Sequence, residues 1–140
     1  MMFWDTSALV PLILDEPTSL QMRAIFADDP EILTSAFTTI EIASAVWRRR
    51  HASELSLAAH QQTDELFAGL STTWTELAVS QDAIDSANGA MSRHALRAGD
   101  ALQLGTALLA APSPRKLGFV TLDKELAAAA RKEGFPVLGS

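Results

Sequence analysis

Residues 1–10 read MMFWDTSALV. Four apolar residues, too few for a helix, stop at an acid and two hydroxyls, and an apolar run resumes. The reading that fits is a short buried strand, Met1 to Trp4, handing over at Asp5 to a helix. Asp5 then has two possible roles. An aspartate is among the best residues for capping a helix N-terminus. An acid at the end of a buried strand is also where an open parallel sheet places its ligands.

The same alternation runs down the chain. TSALVPLILDE reads as a helix with Pro11 near its first turn, where proline is tolerated. PTSLQMRAIFADDP reads as a second helix and EILTSAF as a second strand. TTIEIASAVWRRRH is a strong helix in which Ile40, Ala43 and Trp47 can share an inner face. LSLAAHQQTDELFAGL follows, with Leu55, Leu66, Phe67 and Leu70 as expected core. TWTELAV is a weak strand or a turn, and SQDAIDSANGAMSRHALRAG a helix with a loop behind it. DALQLGTALLAA is an apolar helix, KLGFVTL a clear strand, DKELAAAARKEG a helix stopped by Gly134, and FPVL a last short strand. Strands alternating with helices predict an α/β protein of three layers, with a central parallel sheet of about four or five short strands covered on both faces.

The 140 residues suit a single domain, 1–140, and no linker or repeat divides them. Hydrophobic residues make up 48% and charged residues 20%, with no apolar run approaching a membrane span. The first basic residue is Arg23, so the cationic start of a signal peptide is missing, and a cytoplasmic protein is expected. The absence of cysteine removes disulfides, thiolate metal sites and thiol nucleophiles. A net charge of −6 looks unfavourable for nucleic-acid binding unless basic residues are patched locally or the acids are loaded with cations.

Four acids occupy matching places. Asp5 and Asp123 follow strands directly, while Glu41 and Asp100 sit at expected helix starts. Each can be a cap, and Thr38 with Glu41 spells a capping box. Together they would meet at the carboxyl edge of the sheet, where each raises the cost of ionising the next. Carboxylate oxygens alone select hard cations, Mg²⁺ or Mn²⁺. His51, His60 and His94 lack ligand spacing and are expected at the surface or at helix ends. Trp4 and Trp47 are expected in a core or interface, with Trp74 undecided.

DTSALV, TTIEIASAVWR, GDALQLGTALLA and FVTLDKELAAAA resemble, in order, the four signature blocks of the PIN-domain family, and the chain length resembles its VapC-type toxin ribonucleases. The resemblance implies an acidic quartet of Asp5, Glu41, Asp100 and Asp123 that binds metal and catalyses hydrolysis of RNA phosphodiester bonds. Thr6, Ser7 and Thr121 match supporting polar positions. It further implies a homodimer and a small VapB-like antitoxin that occupies the cleft. Among cations, Arg97 and Lys124 are expected nearest the cleft, as contacts to RNA phosphate. "RRRH" at 48–51 is expected roughly 20 Å from the helix start, as a solvated helix end. Three other readings compete. A haloacid-dehalogenase-type phosphotransferase needs a second acid where Ser7 stands. A PIN-like RNA-binding or scaffold domain would keep the acids as caps only. An RNA-processing nuclease would act without an antitoxin.

Overall fold

The computed structural model describes residues 1–140. Its centre is a five-stranded sheet, all parallel, in the order β3-β2-β1-β4-β5. The strands are β1 (Met2–Trp4), β2 (Ile32–Ser35), β3 (Thr75–Leu77), β4 (Gly118–Val120) and β5 (Val137–Leu138). Seven helices connect them: α1 (Thr6–Ile13), α2 (Ser19–Asp28), α3 (Phe37–His51), α4 (Leu57–Ser71), α5 (Gln81–Arg93), α6 (Ala98–Ala110) and α7 (Lys124–Glu133). The weak segment around Trp74 is a true strand at one edge. No helix is long and apolar enough to cross a membrane.

Strand alternation sorts the core into two layers. Met2, Trp4, Ile32 and Val120 face one side, where they pack with Leu9, Met22, Ile42 and Val46 from α1, α2 and α3. Phe3, Leu33 and Phe119 face the other, against Leu104, Leu126 and Phe135. Phe3 and Phe119 stack at 5.2 Å between centroids. Close packing on that second side depends on Gly105, where a Cβ would lie 2.5 Å from the Ala87 amide nitrogen. Gly134 ends α7 with φ of 100°, the left-handed conformation that favours glycine.

The chain lays β1, β2 and β3 outward in one direction, then returns to build β4 and β5 on the other side of β1. The order therefore reverses between β1 and β4, which opens a crevice beyond their carboxyl ends. Trp4 pairs in register with Val120, so Asp5 and the Thr121–Asp123 segment leave the sheet side by side.

Several sequence expectations need correction. On α3 the inner face is Thr38, Ile42 and Val46, whereas Ile40 and Trp47 are exposed at 61% and 52%. Leu66 is also exposed, while His60 and Trp74 are buried. His60 packs edge-to-face with Trp47, centroids 4.7 Å apart, so the imidazole expected at the surface is buried on α4 while Leu66 is not. Pro11 sits in the second turn of α1, not the first.

Candidate active site

Asp5 and Asp123 do cap helices. Asp5 is the N-cap of α1, accepting from the Ser7 amide at 3.2 Å through Oδ2 and from the Ser7 hydroxyl at 2.8 Å through Oδ1. Asp123 is the N-cap of α7 and accepts from the Leu126 amide at 2.8 Å through Oδ1. Ser7 also joins the two strand ends, because the Leu122 amide donates to its Oγ at 2.9 Å. The Thr121 hydroxyl lies 3.3 Å from Ser7 Oγ and accepts from the Asp123 amide at 3.1 Å. The three hydroxyl positions singled out in the sequence thus have separate tasks. Ser7 and Thr121 stitch β1 to β4, and Thr6 turns toward Glu41.

Glu41 and Asp100 are not caps. Helix α3 begins four residues before Glu41, and its N-cap Ala36 offers no side chain. Asp100 lies in the first turn of α6, whose N-cap is Arg97. No Thr38–Glu41 capping box forms, since Thr38 points inward. Its Oγ1 is 2.8 Å from that of Thr34, which donates to the Trp4 carbonyl at 2.8 Å. The Thr34 hydrogen is thereby used, so Thr38 donates to Thr34 and accepts from Gln103 Nε2 at 2.9 Å.

Gln103 is the residue that sequence reasoning missed. Its amide nitrogen is 2.7 Å from Glu41 Oε1, and the Thr6 hydroxyl donates to that same oxygen at 2.8 Å. A buried amide on α6 thus holds a carboxylate of α3 and links it, through Thr38 and Thr34, to the backbone of β1. Gln103 is 1% exposed and its own Oε1 has no partner. Leaving a buried acceptor unsatisfied costs about 1–3 kcal/mol, a cost the side chain bears while fixing Glu41. The only signal in the sequence is its position one turn after Asp100 on the same helix face.

All four acids line one open pocket of about 680 Å³, together with Thr6, Ser7, Glu16, Arg48 and Arg49. Electrostatics there oppose negative charge. Burial raises the Asp5 carboxyl to about 6, against the pull of hydrogen bonds from Ser7 and Thr121. Desolvation also raises Asp100 to about 6, reinforced by the charges of Asp123 and Glu41 and opposed by Arg97. The acids surround the pocket without closing on it, because no three His, Asp or Glu side chains converge on one ion position. That arrangement does not suit a dehydrated, all-protein cage. It does fit Mg²⁺ or Mn²⁺, since Mg²⁺ keeps several waters and takes only one or two carboxylates directly. An all-oxygen donor set whose charges repel one another is a chemical match to a hard dication.

Of the basic residues, Arg48 and Arg49 line the pocket and Arg97 and Lys124 do not, although the charge of Arg97 reaches Asp100. The roughly 20 Å expected for "RRRH" spans the helix from its start to its last residue, whereas Glu41 lies in the second turn and Arg48 only seven residues, about 10 Å, beyond it. Glu41, Ala45 and Arg48 therefore form one stripe along the wall. Glu16 also enters the wall through an ion pair with Arg49.

A three-layer α/β/α fold with four carboxylates lining a pocket at the switch point of a parallel sheet defines a class of protein: an α/β protein with an acidic crevice where open sheets place their ligands. Residues 2–132 match the PIN domain family, and the chain belongs to that family. No curated protein sequence matches this one closely enough to count as a relative. Among solved structures, it is similar to VapC20 from Mycobacterium tuberculosis, described as a sarcin–ricin loop cleaving toxin. The TM-score is 0.72 at 20% identity, covering 100% of this chain and 98% of that one. FitAcB from Neisseria gonorrhoeae gives a TM-score of 0.72 at 18% identity, covering 99% and 96%. A toxin–antitoxin complex from Klebsiella pneumoniae gives 0.65 at 23% identity, covering 99% and 96%. At these identities the likeness is one of fold.

Proposed function

We propose that the protein is a divalent-metal-dependent endoribonuclease, acting as one domain over residues 1–140, and the toxin of a VapBC-type toxin–antitoxin pair in the cytoplasm. The observation that carries this reading is convergence: four acids from four separate elements line one pocket at the switch point, and two of them are pushed up to about 6. Caps alone require no such meeting, and two of the four do not cap. Membership of the PIN family and the toxin–antitoxin setting of similar folds supply the rest of the support.

Asp5 and Asp100 would hold Mg²⁺ or Mn²⁺ directly, with Glu41 and Asp123 completing the site directly or through water. When bound, such an ion lowers the pKa of a coordinated water and neutralises phosphate charge. The protein's own groups supply position. Ser7 orients Asp5 through two hydrogen bonds, and Gln103 and Thr6 aim Glu41 by gripping one of its oxygens. Partners under this reading are an RNA substrate, a second copy of the chain and a VapB-like antitoxin.

The test is cleavage of an RNA pool by the purified protein with Mg²⁺ or Mn²⁺, with excess chelator, and with Asp100→Asn. Metal-dependent cleavage that Asp100→Asn abolishes is the expected result. Cleavage unaffected by chelator and by the substitution would overturn it.

A further inference from the structure

Three consecutive arginines end α3, and the structure gives them different occupations. Arg49 is paired with Glu16. Arg50 donates to the Leu55 carbonyl at 2.8 Å and so ties down the turn after the helix. The Arg48 side chain makes no hydrogen bond and no ion pair, is exposed, and lines the carboxylate pocket. It also lines an adjoining groove of about 360 Å³, shared with Phe37, Ile40, Glu41 and Ser44.

From these placements we infer that Arg48 is the phosphate-binding residue of an RNA track along the outer face of α3, a role separate from the acid cluster. This rests on the ribonuclease reading above and names how that site takes its substrate. Glu41 and Arg48 are seven residues apart, so their positions lie about 10 Å apart along the helix axis on nearly the same face. A strand whose scissile phosphate sits among the acids would present the phosphate of a neighbouring nucleotide to Arg48. Phe37 and the exposed Ile40 flank that path and offer apolar surface to a base. An acidic pocket repels a polyanion, and an unpaired guanidinium at its rim offsets that repulsion with a fork matched to phosphate. Arg49 cannot substitute while Glu16 holds it. Arg48, being exposed and unbonded, contributes nothing evident to the fold.

The test is the kinetics of cleavage of a fluorescein-labelled, randomised-sequence RNA pool with Mg²⁺, across a range of salt concentrations. Wild type, Arg48→Ala, Arg48→Lys and the distant surface variant Arg115→Ala are compared. Losing one charge-assisted phosphate contact should raise KM about tenfold for Arg48→Ala with kcat little changed. The log–log salt dependence of kcat/KM should flatten by about 0.7. Arg48→Lys should restore the slope but only part of the affinity, and Arg115→Ala should match wild type. Unchanged KM and slope in Arg48→Ala, with wild-type cleavage intact, would overturn the track and leave the nuclease reading standing. An equal loss in Arg115→Ala would overturn it too, by showing an effect of net charge alone. Failure of wild type to cut the pool would overturn both.

Discussion

Asp5 and Asp123 occupy equivalent places at the ends of adjacent parallel strands, and each caps the helix that follows, yet their surroundings differ. Asp5 is 4% exposed with both oxygens engaged by Ser7. Asp123 is partly exposed, and only Oδ1 is engaged. The first carboxylate is held rigidly in a place that resists its charge, while the second is an ordinary cap at the pocket rim. Capping and the proposed ligand duty are therefore compatible. The Ser7 amide and hydroxyl that make Asp5 a cap also hold it at the crevice, where, under the proposed metal site, a cation would offset its unfavourable charge.

Substitution should separate the two. The shift of Asp5 from 3.8 to about 6 means that the folded state binds its proton more tightly than the unfolded state does. Its contribution to stability is full below about pH 4 and is lost as pH rises through about 6. In excess chelator, the stability of Asp5→Asn relative to wild type should rise by about 3 kcal/mol between pH 4 and pH 8, on top of a pH-independent cost for the Ser7 donor from which the Asn amide nitrogen cannot accept. Urea unfolding at both pH values measures it, and a relative stability that does not rise with pH would break the contrast.

Gln103→Leu addresses a third acid, held by a side chain rather than by a helix end. Removing the amide leaves Thr38 and Glu41 short of a donor and should cost about 2 kcal/mol, partly offset by loss of the orphaned Oε1. Because Glu41 loses its grip, cleavage should fall further than the loss of stability explains. Gln103→Glu should do worse still by facing one carboxylate with another.

Asp123→Ala should cost about 1 kcal/mol, as a lost N-cap does, read from the same urea curves. The smallest effect lies away from the pocket. Glu133 accepts from Arg93 at 2.6 Å and lies 2.8 Å from His94 Nε2. Burial works against its charge, but these partners more than offset it and hold its carboxyl below the ordinary value. Its contribution is therefore present above about pH 4.5 and lost as pH falls further, the reverse of Asp5. Glu133→Gln should cost less than 1 kcal/mol at pH 7, read from the same unfolding curves.

What could be read in advance follows from locality. The strand ending at Asp5, the strand before Asp123 and the stop at Gly134 each depend on a few neighbouring residues, and all three are found as expected. Asp100 does stand in the first turn of α6, but Glu41 stands in the second turn of α3, because the caps Ala36 and Arg97 carry no side-chain oxygen to mark the boundary in the sequence. Arg48 lines the pocket because it is two turns from Glu41, a nearness hidden when the helix is measured end to end. The inner face of α3 is not legible from apolar spacing, because Ile40 and Trp47 are apolar but exposed, whereas the buried Thr38 is held by hydrogen bonds with partners 4 and 65 residues away. The role of Gln103 exists only in three dimensions, where its side chain on α6 reaches Thr38 and Glu41 of α3.

The most direct test of the central claim is a calorimetric titration of Mn²⁺ into wild type, Asp5→Asn and Asp123→Asn at pH 7.5. Wild type should bind, Asp5→Asn should show no binding heat while remaining folded, and Asp123→Asn should bind more weakly. A wild type that takes up no Mn²⁺, or an Asp5→Asn protein that binds it as tightly as wild type, would show that the buried carboxylate is a cap and nothing more.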